Sequence, residues 1–385
     1  MTTVGIICEY NPFHNGHIYH LKKIKELYPD STIILVMTGN FSQRGIPSII
    51  NKWDKTEIAL NYGIDLVIEL PFSFATQSAD IFAKGAISIL NALKVNYLVF
   101  GSESNNIEEL TELAKLVINN QNYELKVKEY LEHGNNYPTS LNKALYELSN
   151  KDIKLPNDLL GFSYIKEIIK EKSNIIPVTI PRTNNYHDLD LNKNNISSAS
   201  SIRNSYRSNN NWQSQVPKET IKAMKDSKFL LENYFSILKY KILTSDNLSE
   251  YQTVDEGIEN KIKKEIVDSE TIADLITRLK SKRYTYSRIS RMLIHILCNF
   301  TKEKAKTMNN IEYIRILGFS SLGQKYLNTI KKDCIYPIIT TYSKGNSKML
   351  EYEKIVTSVY ASILPENKKN KLIKEEYQNK PKMRR

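Results

Sequence analysis

Cysteine is scarce. The chain has three in 385 residues, Cys8, Cys298 and Cys334, far apart and odd in number. They supply neither a disulfide framework nor a zinc-ligand spacing, which points to a reducing, cytoplasmic setting. No apolar run approaches the ~20 residues of a membrane span. The N-terminus lacks the pattern of a secretory signal, so no membrane partner is expected. No cluster of ligands for a tight metal site is visible either. Acidic residues are outnumbered, 42 against 54 Lys and Arg, for a formal charge of +12. That charge is uneven: residues 1–200 carry −3 and residues 201–385 carry +15. A near-neutral half joined to a strongly basic half suggests a polyanionic macromolecular partner, bound mainly by the second half. The competing reading is a solvated, lysine-rich surface. A compositional bias toward lysine would act on both halves, however, and the asymmetry survives it.

What is present is concentrated near the start. The apolar run Val4–Cys8 leads directly into Asn11-Pro12-Phe13-His14-Asn15-Gly16-His17. A helical pattern follows, with Ile18, Leu21, Ile24 and Leu27 on one face. A strand, a His-x-Gly-His turn and a helix in that order suit attack on the α-phosphate of ATP. Two imidazole donors three residues apart can reach one phosphate from the first helical turn. Gly16 lets the backbone come close to the nucleotide, and the helix N-terminus adds oriented N–H groups and partial positive charge. The competing reading of His14 and His17 is an ordinary polar turn. His20, one turn on, reads as structural or as a secondary phosphate contact. Cys8 ends the first strand and either lines the pocket or fills core.

Further along, Thr32–Met37, Leu66–Glu69 and Tyr97–Phe100 read as buried parallel strands, separated by helical patterns at Lys52–Tyr62 and Ser78–Leu93. This alternation predicts a doubly wound parallel sheet of the Rossmann-like α/β class, with ligand at the carboxyl ends of the strands. The loops Asn11–His17, Thr38–Gly45, Pro71–Gln77 and Gly101–Glu103 should converge there. Residues 107–170 read as helices, with Asn157 as an N-cap. Ile175–Ile180 reads as a last strand, and Pro177 places it at an edge. Ser197, Ser198, Ser201 and Arg203 form a candidate second phosphate clamp at a helix start, or else a capping cluster. Beyond residue 211 a mainly helical, basic region is expected to 365. Within it Lys282, Arg283, Arg288 and Arg291 alternate with Tyr284 and Tyr286, a mix suited to RNA or to a basic helix packing its apolar face inward. Tyr313–Gly323 and Ile335–Thr340 read as a second small unit, and residues 366–385 as a mobile basic arm.

Several long segments resemble the bacterial tRNA(Met) cytidine acetate ligase family: EYNPFHNGHIYHL, TGNFSQRGIPSIINKWDKTEIAL, DLVIELPFSFATQSADIFAKGAI and YLVFGSES. So do PNDLLGFSYIK, YHD before ISSASSIR, RYTYSRISRMLIHIL and YIRILGF. The chain departs from that family at Asn184, Asn185 and the Leu189–Asn195 insertion. The resemblance implies a nucleotidyltransferase domain over 1–210 and a tRNA-binding region over 211–365. It implies that acetate attacks ATP to give acetyl-adenylate, and that the wobble cytidine of elongator tRNA(Met) then takes the acetyl group to become N4-acetylcytidine. It also implies that ATP is held by Ile7, Cys8, Glu9, Tyr10, Asn11, Pro12, Phe13, His14, Asn15, Gly16, His17, Ile18, Tyr19 and His20, with Gly101, Asn157 and Arg182. His14 and His17 would be catalytic, and Mg²⁺ is expected with the triphosphate. The rival readings are another adenylyltransferase or acetate ligase acting on a small molecule or protein, an aminoacyl-tRNA synthetase relative, and a non-catalytic RNA-binding protein.

Overall fold

Short runs of β-branched and apolar residues build the centre of the molecule. The strands are β1 (Thr3–Cys8), β2 (Thr32–Thr38), β3 (Leu66–Leu70), β4 (Tyr97–Ser102) and β5 (Ile176–Pro181). In this computed structural model, which describes residues 1–182, 196–225 and 227–384, they pair in parallel in the order β5-β4-β1-β2-β3. β2 and β3 are buried along their whole length, as expected for strands covered by helices on both faces. β5 lies at the sheet edge, where the missing N–H of Pro177 is tolerated.

The crossover helices follow from spacing. In the helix Ala79–Ala92, Phe82, Ala83, Ala86, Ile89 and Leu90 share one buried face. That helix packs beside Pro156–Lys170, and an Asp80–Lys166 ion pair ties the two. Asn157 does not cap this second helix. Leu155 holds the N-cap position, and Asn157 sits in the first turn.

The second half is mainly helical, as expected, and it also returns strands to the central sheet. Helices do run through Phe235–Thr244, Ile258–Asp268, Ile272–Leu279 and Tyr286–Leu297. The chain then returns to the same sheet. β6 (Ile314–Ser320) pairs antiparallel with β3, and β7 (Ile338–Ile339) pairs parallel with β6. Tyr313–Gly323 and Ile335–Thr340 therefore extend the main sheet and form no separate unit.

The expected mobile arm is also corrected. Glu366–Gln378 is a helix, and β8 (Lys382–Arg384) pairs parallel with β6. Glu376 on that helix is fully buried and pairs with Lys52 and Arg315, so the arm is anchored by charges from remote parts of the chain. The segment 183–195, which holds Asn184, Asn185 and the Leu189–Asn195 insertion, lies outside the described residues. Among the described residues no helix is long and apolar enough to cross a membrane.

Candidate active site

β1 leads to β2 on one side of the sheet centre, and its other neighbour is β4. Ligands of such sheets bind outside the carboxyl ends of the strands at this switch point. A cavity of about 160 Å³ lies there. Its walls come from the ends of β1 (Ile7, Cys8), β4 (Phe100, Gly101) and β5 (Ile180, Pro181). The first helix, Asn15–Leu27, contributes Gly16, His17, Tyr19 and His20, and its N-cap contributes His14. Asn157, Leu160, Tyr164, Arg182 and Ile196–Ser198 close it.

The two motif histidines cap this helix reciprocally. His14 Nδ1 accepts from Gly16 N at 3.0 Å, and His17 Nδ1 accepts from His14 N at 3.1 Å. Each ring therefore carries its proton on Nε2 and presents an Nε2–H donor. The rings lie 3.8 Å apart, centroid to centroid. Burial, with Arg182 and Arg203 nearby, pushes His14 down to about 3. Burial, then His14, His20 and Arg182, pushes His17 well below the usual imidazole range. Burial and Arg182 push His20 down to about 4. All three are neutral donors or acceptors at physiological pH, beside a fixed guanidinium. The cavity is thus electropositive without titrating, which suits a polyphosphate.

Gly16 has a different reason from close nucleotide approach alone. A Cβ there would lie 2.8 Å from His14 Cε1, so glycine leaves room for the capping imidazole itself. At Gly101 a Cβ would meet Arg182 Cγ at 3.3 Å. Arg182 Nη1 donates to Asn157 Oδ1 at 3.3 Å, and Asn157 in turn donates to Glu103. The three residues expected from separate segments are brought into one wall. Burial, with Glu9 adding to it, raises the Cys8 thiol to about 12, so Cys8 lines the cavity as an unreactive neutral group.

Other motif residues support the site without lining it. Asn11 accepts from Ile49 N at 2.8 Å and donates to Pro47 O at 3.3 Å. Phe13 is buried, and its carbonyl accepts from Thr220 Oγ1 at 3.0 Å. Asn15 donates to Ser214 O at 2.9 Å. Tyr10 packs against His17, 4.6 Å between ring centroids. Glu9 turns away to accept from Gln43 N. Pro12 and Ile18 also stay off the cavity walls. In the second segment, Ser197 and Ser198 face the cavity while Ser201 is buried and donates to the Ser198 hydroxyl from its backbone. Arg203 reaches the carbonyl of Asn11 and Ser200 Oγ.

Two contributors escaped the sequence reading. Lys55, fully buried, donates to Glu9 O at 3.0 Å, Thr38 O at 2.8 Å, Gly39 O at 2.9 Å and Ser48 Oγ at 3.0 Å. It holds the ends of β1 and β2 together behind the histidines, and burial lowers it to about 7. Arg44 donates to Ser200 Oγ at 3.1 Å. The signal for Lys55 was its place on the apolar face of Lys52–Asn61, where a lysine needs buried acceptors.

The basic segment is only partly displayed. Lys282 is exposed, Arg283 pairs with Glu256, and Arg288 lies over the Tyr284 ring at 4.4 Å. Arg291 turns inward to Gln43 O. Burial and then Arg288 lower it to about 10, and its bond to Gln43 O joins the basic segment to the first half.

Comparison with known proteins agrees with this geometry. The HIGH Nucleotidyl Transferase family matches residues 1–376. A tRNA(Met) cytidine acetate ligase from Geobacillus sp. is 39% identical over 398 residues, covering 99% of each chain. One from Clostridium novyi is 40% identical over 385 residues, covering 94% of this chain and 96% of its own. The crystal structure of Thermotoga maritima TmcAL in its apo form superposes with a TM-score of 0.91 at 30% identity, covering 100% of this chain and 99% of its own. The same protein bound with alpha-thio ATP gives a TM-score of 0.89 at 30% identity over the same shares.

Proposed function

We propose, from the premise that this chain belongs to the tRNA(Met) cytidine acetate ligase family of HIGH nucleotidyltransferases, that the cavity at the ends of β1 and β4 activates acetate with ATP. It is a ligase. In the first step an acetate oxygen attacks the α-phosphorus, the bond to the bridging oxygen breaks, and pyrophosphate leaves. His14 and His17 donate Nε2–H to the oxygens on which charge builds, and the helix N-terminus and Arg182 add to the same field. Ser197 and Ser198 at the cavity wall, with Arg203 behind them, would hold the departing pyrophosphate. In the second step the exocyclic amine of the wobble cytidine of elongator tRNA(Met) attacks the acetyl carbon. AMP leaves, the amine proton passes to solvent, and N4-acetylcytidine forms.

The donors around the cavity are imidazole, hydroxyl, amide and guanidinium groups. Among the described residues no His, Cys, Asp and Glu side chains converge as a cation site. This donor set fits phosphate oxygens, and a magnesium ion would arrive on the triphosphate and offset its charge. The substrates, ATP and tRNA, place the work in the cytoplasm.

The observation that carries the reading is the reciprocal histidine cap. It fixes two neutral Nε2–H donors at a helix N-terminus inside a cavity. The test is pyrophosphate release from ATP with acetate, measured with and without tRNA. His14→Ala or His17→Ala should slow it ~10²–10³-fold, the usual cost of one preorganised donor, with the circular dichroism spectrum unchanged. A folded variant releasing pyrophosphate at the normal rate would remove the assignment.

A further inference from the structure

The loop after β2 is a junction. Gln43 N donates to Glu9 Oε1 at 2.8 Å, next to the histidine turn. Arg44 reaches Ser200 Oγ at 3.1 Å in the second phosphate segment. Gly45 O accepts from Ser290 Oγ at 2.6 Å, and a Cβ on Gly45 would lie 2.3 Å from Arg291 N. The helix Tyr286–Leu297 is therefore seated on the cavity's own supporting loop. The basic half meets the nucleotide site at this helix.

Its first residue is the conspicuous one. Tyr286 is 48% exposed, whereas Tyr284 two residues earlier is 7% exposed and hydrogen-bonded to Asp255 O. Burial raises the Tyr286 hydroxyl, and the charges acting on it are, in order, Arg207, Glu232 and Arg203. Glu232 is already engaged, accepting from Ile272 N at 2.8 Å and Ala273 N at 3.0 Å. Arg207 is exposed at the end of the helix Ala199–Arg207, whose start carries Ser198 at the cavity wall. A half-exposed aromatic ring with Arg207 and Arg203 among the charges acting on it, on the half carrying +15, matches what unpaired bases and their phosphates require.

We infer that Tyr286 is a platform on which an unpaired base next to the reactive cytidine stacks, with Arg207 taking the adjoining backbone phosphate. This surface rests on the tRNA reading above. It adds the route by which the nucleotide enters: across the first turn of Tyr286–Leu297, past the helix Ala199–Arg207, to the wall formed by Ser197 and Ser198. A base held there leaves its neighbour free to turn into the cavity, as enzymes acting on bases require.

The experiment compares Tyr286→Ala, Tyr286→Phe and Arg207→Ala in the full-length protein. kcat/KM for tRNA acetylation and tRNA affinity are measured against salt, and tRNA-independent pyrophosphate release serves as the internal reference. Tyr286→Ala should lower kcat/KM for tRNA about 5- to 150-fold, the span of one base–aromatic stack, with pyrophosphate release unmoved. Tyr286→Phe should act like the unsubstituted protein, because the ring and not the hydroxyl is used. Arg207→Ala should make the salt slope shallower by about 0.7–0.9. Unchanged tRNA kinetics in Tyr286→Ala, or equal damage in Tyr286→Phe, would overturn the platform while acetylation by the unsubstituted protein kept the tRNA reading. Pyrophosphate release without acetylation of any tRNA by the unsubstituted protein would remove that reading first.

Discussion

Two buried clusters of titratable side chains sit near the same end of the sheet, and they answer burial in opposite ways. Beside β1 and β4, three imidazoles give up their charge: burial and Arg182 hold His14 at about 3 and His20 at about 4. Between β3 and β6, charge is kept and matched. Lys52 Nζ lies 2.6 Å from Glu69 Oε1 and 2.8 Å from Glu376 Oε1, and Arg315 pairs with the same two carboxylates. Thr357 Oγ1 donates to Glu376 Oε2 at 2.7 Å and accepts from Asn40 at 2.9 Å. The first cluster presents donors to a cavity. The second consumes its donors internally and joins β3, β6 and the last helix. Desolvation alone therefore does not mark a reactive site; donors left open toward a cavity do.

The largest expected effect breaks the matched cluster. Glu376→Ala leaves two cations facing Glu69 alone, and unmaking one member of a buried pair costs about 3–5 kcal/mol. Urea unfolding should show that loss. A change under about 1 kcal/mol would mean the cluster is not a lock. Acidity sharpens the test. Burial alone would raise Glu376, but Arg315 and Lys52 reverse it and hold it down to about 2. Its folded value is depressed, so its contribution is full above the ordinary carboxylate range and is lost as pH falls from about 4.5 toward 2. Glu353, buried on the helix Lys348–Ala361 and accepting from Phe72 N at 2.6 Å, has the opposite sign. Burial, then Glu69, lifts it to about 8, so its contribution is full below about 4.5 and is lost as pH rises toward 8. Glu376→Ala should flatten the acid limb of stability against pH, and Glu353→Gln the alkaline limb.

The next test concerns the uncharged cluster. In the protein without nucleotide, NMR titration should find His14 and His20 neutral from pH 8 down to 5. Their lowered values put protonation below that window. Bound ATP should raise both, since phosphate favours the imidazolium form. A midpoint near 6.5 in the free protein would show that the cavity is wetter than its walls imply.

How legible each cluster was follows from the same contrast. The histidine site is local: a strand, a three-residue spacing and a helix start are adjacent in sequence, so the pattern could be read directly. Gly101, Asn157 and Arg182 came from the family resemblance, and the cavity does unite them. The matched cluster is non-local. Lys52 and Glu376 lie 324 residues apart, and a carboxylate amid lysines looks solvated until its partners arrive from a helix and a strand far earlier in the chain. That is why a mobile arm was expected where the sheet gains β8. The reason for Gly16 was hidden too, since it depends on which way the His14 ring folds back. The parallel strands β1 to β4 were readable from their β-branched runs, whereas β6 needed its antiparallel partner β3 to be known.

The smallest effect separates two arginines that look alike in sequence. Arg288 and Arg291 lie three apart on one helix, both inside the expected RNA-binding segment. Arg288 lays its guanidinium over the Tyr284 ring and donates to Arg283 O at 3.5 Å, within its own segment. Arg291 is drawn inward to Gln43 O. Each phosphate neutralised by a basic side chain releases counterions, so its loss should change the slope of log affinity against log salt by about 0.7–0.9. Arg288→Ala should show that change in tRNA binding with little loss of stability. Arg291→Ala should leave the salt slope nearly unchanged and lower stability, by about 1–3 kcal/mol for a lost half-buried, hydrogen-bonded cation. It loosens the seat between this helix and the loop that carries Arg44. Equal salt slopes for the two variants would place both side chains at the RNA surface and dissolve the distinction between displayed and seated charge.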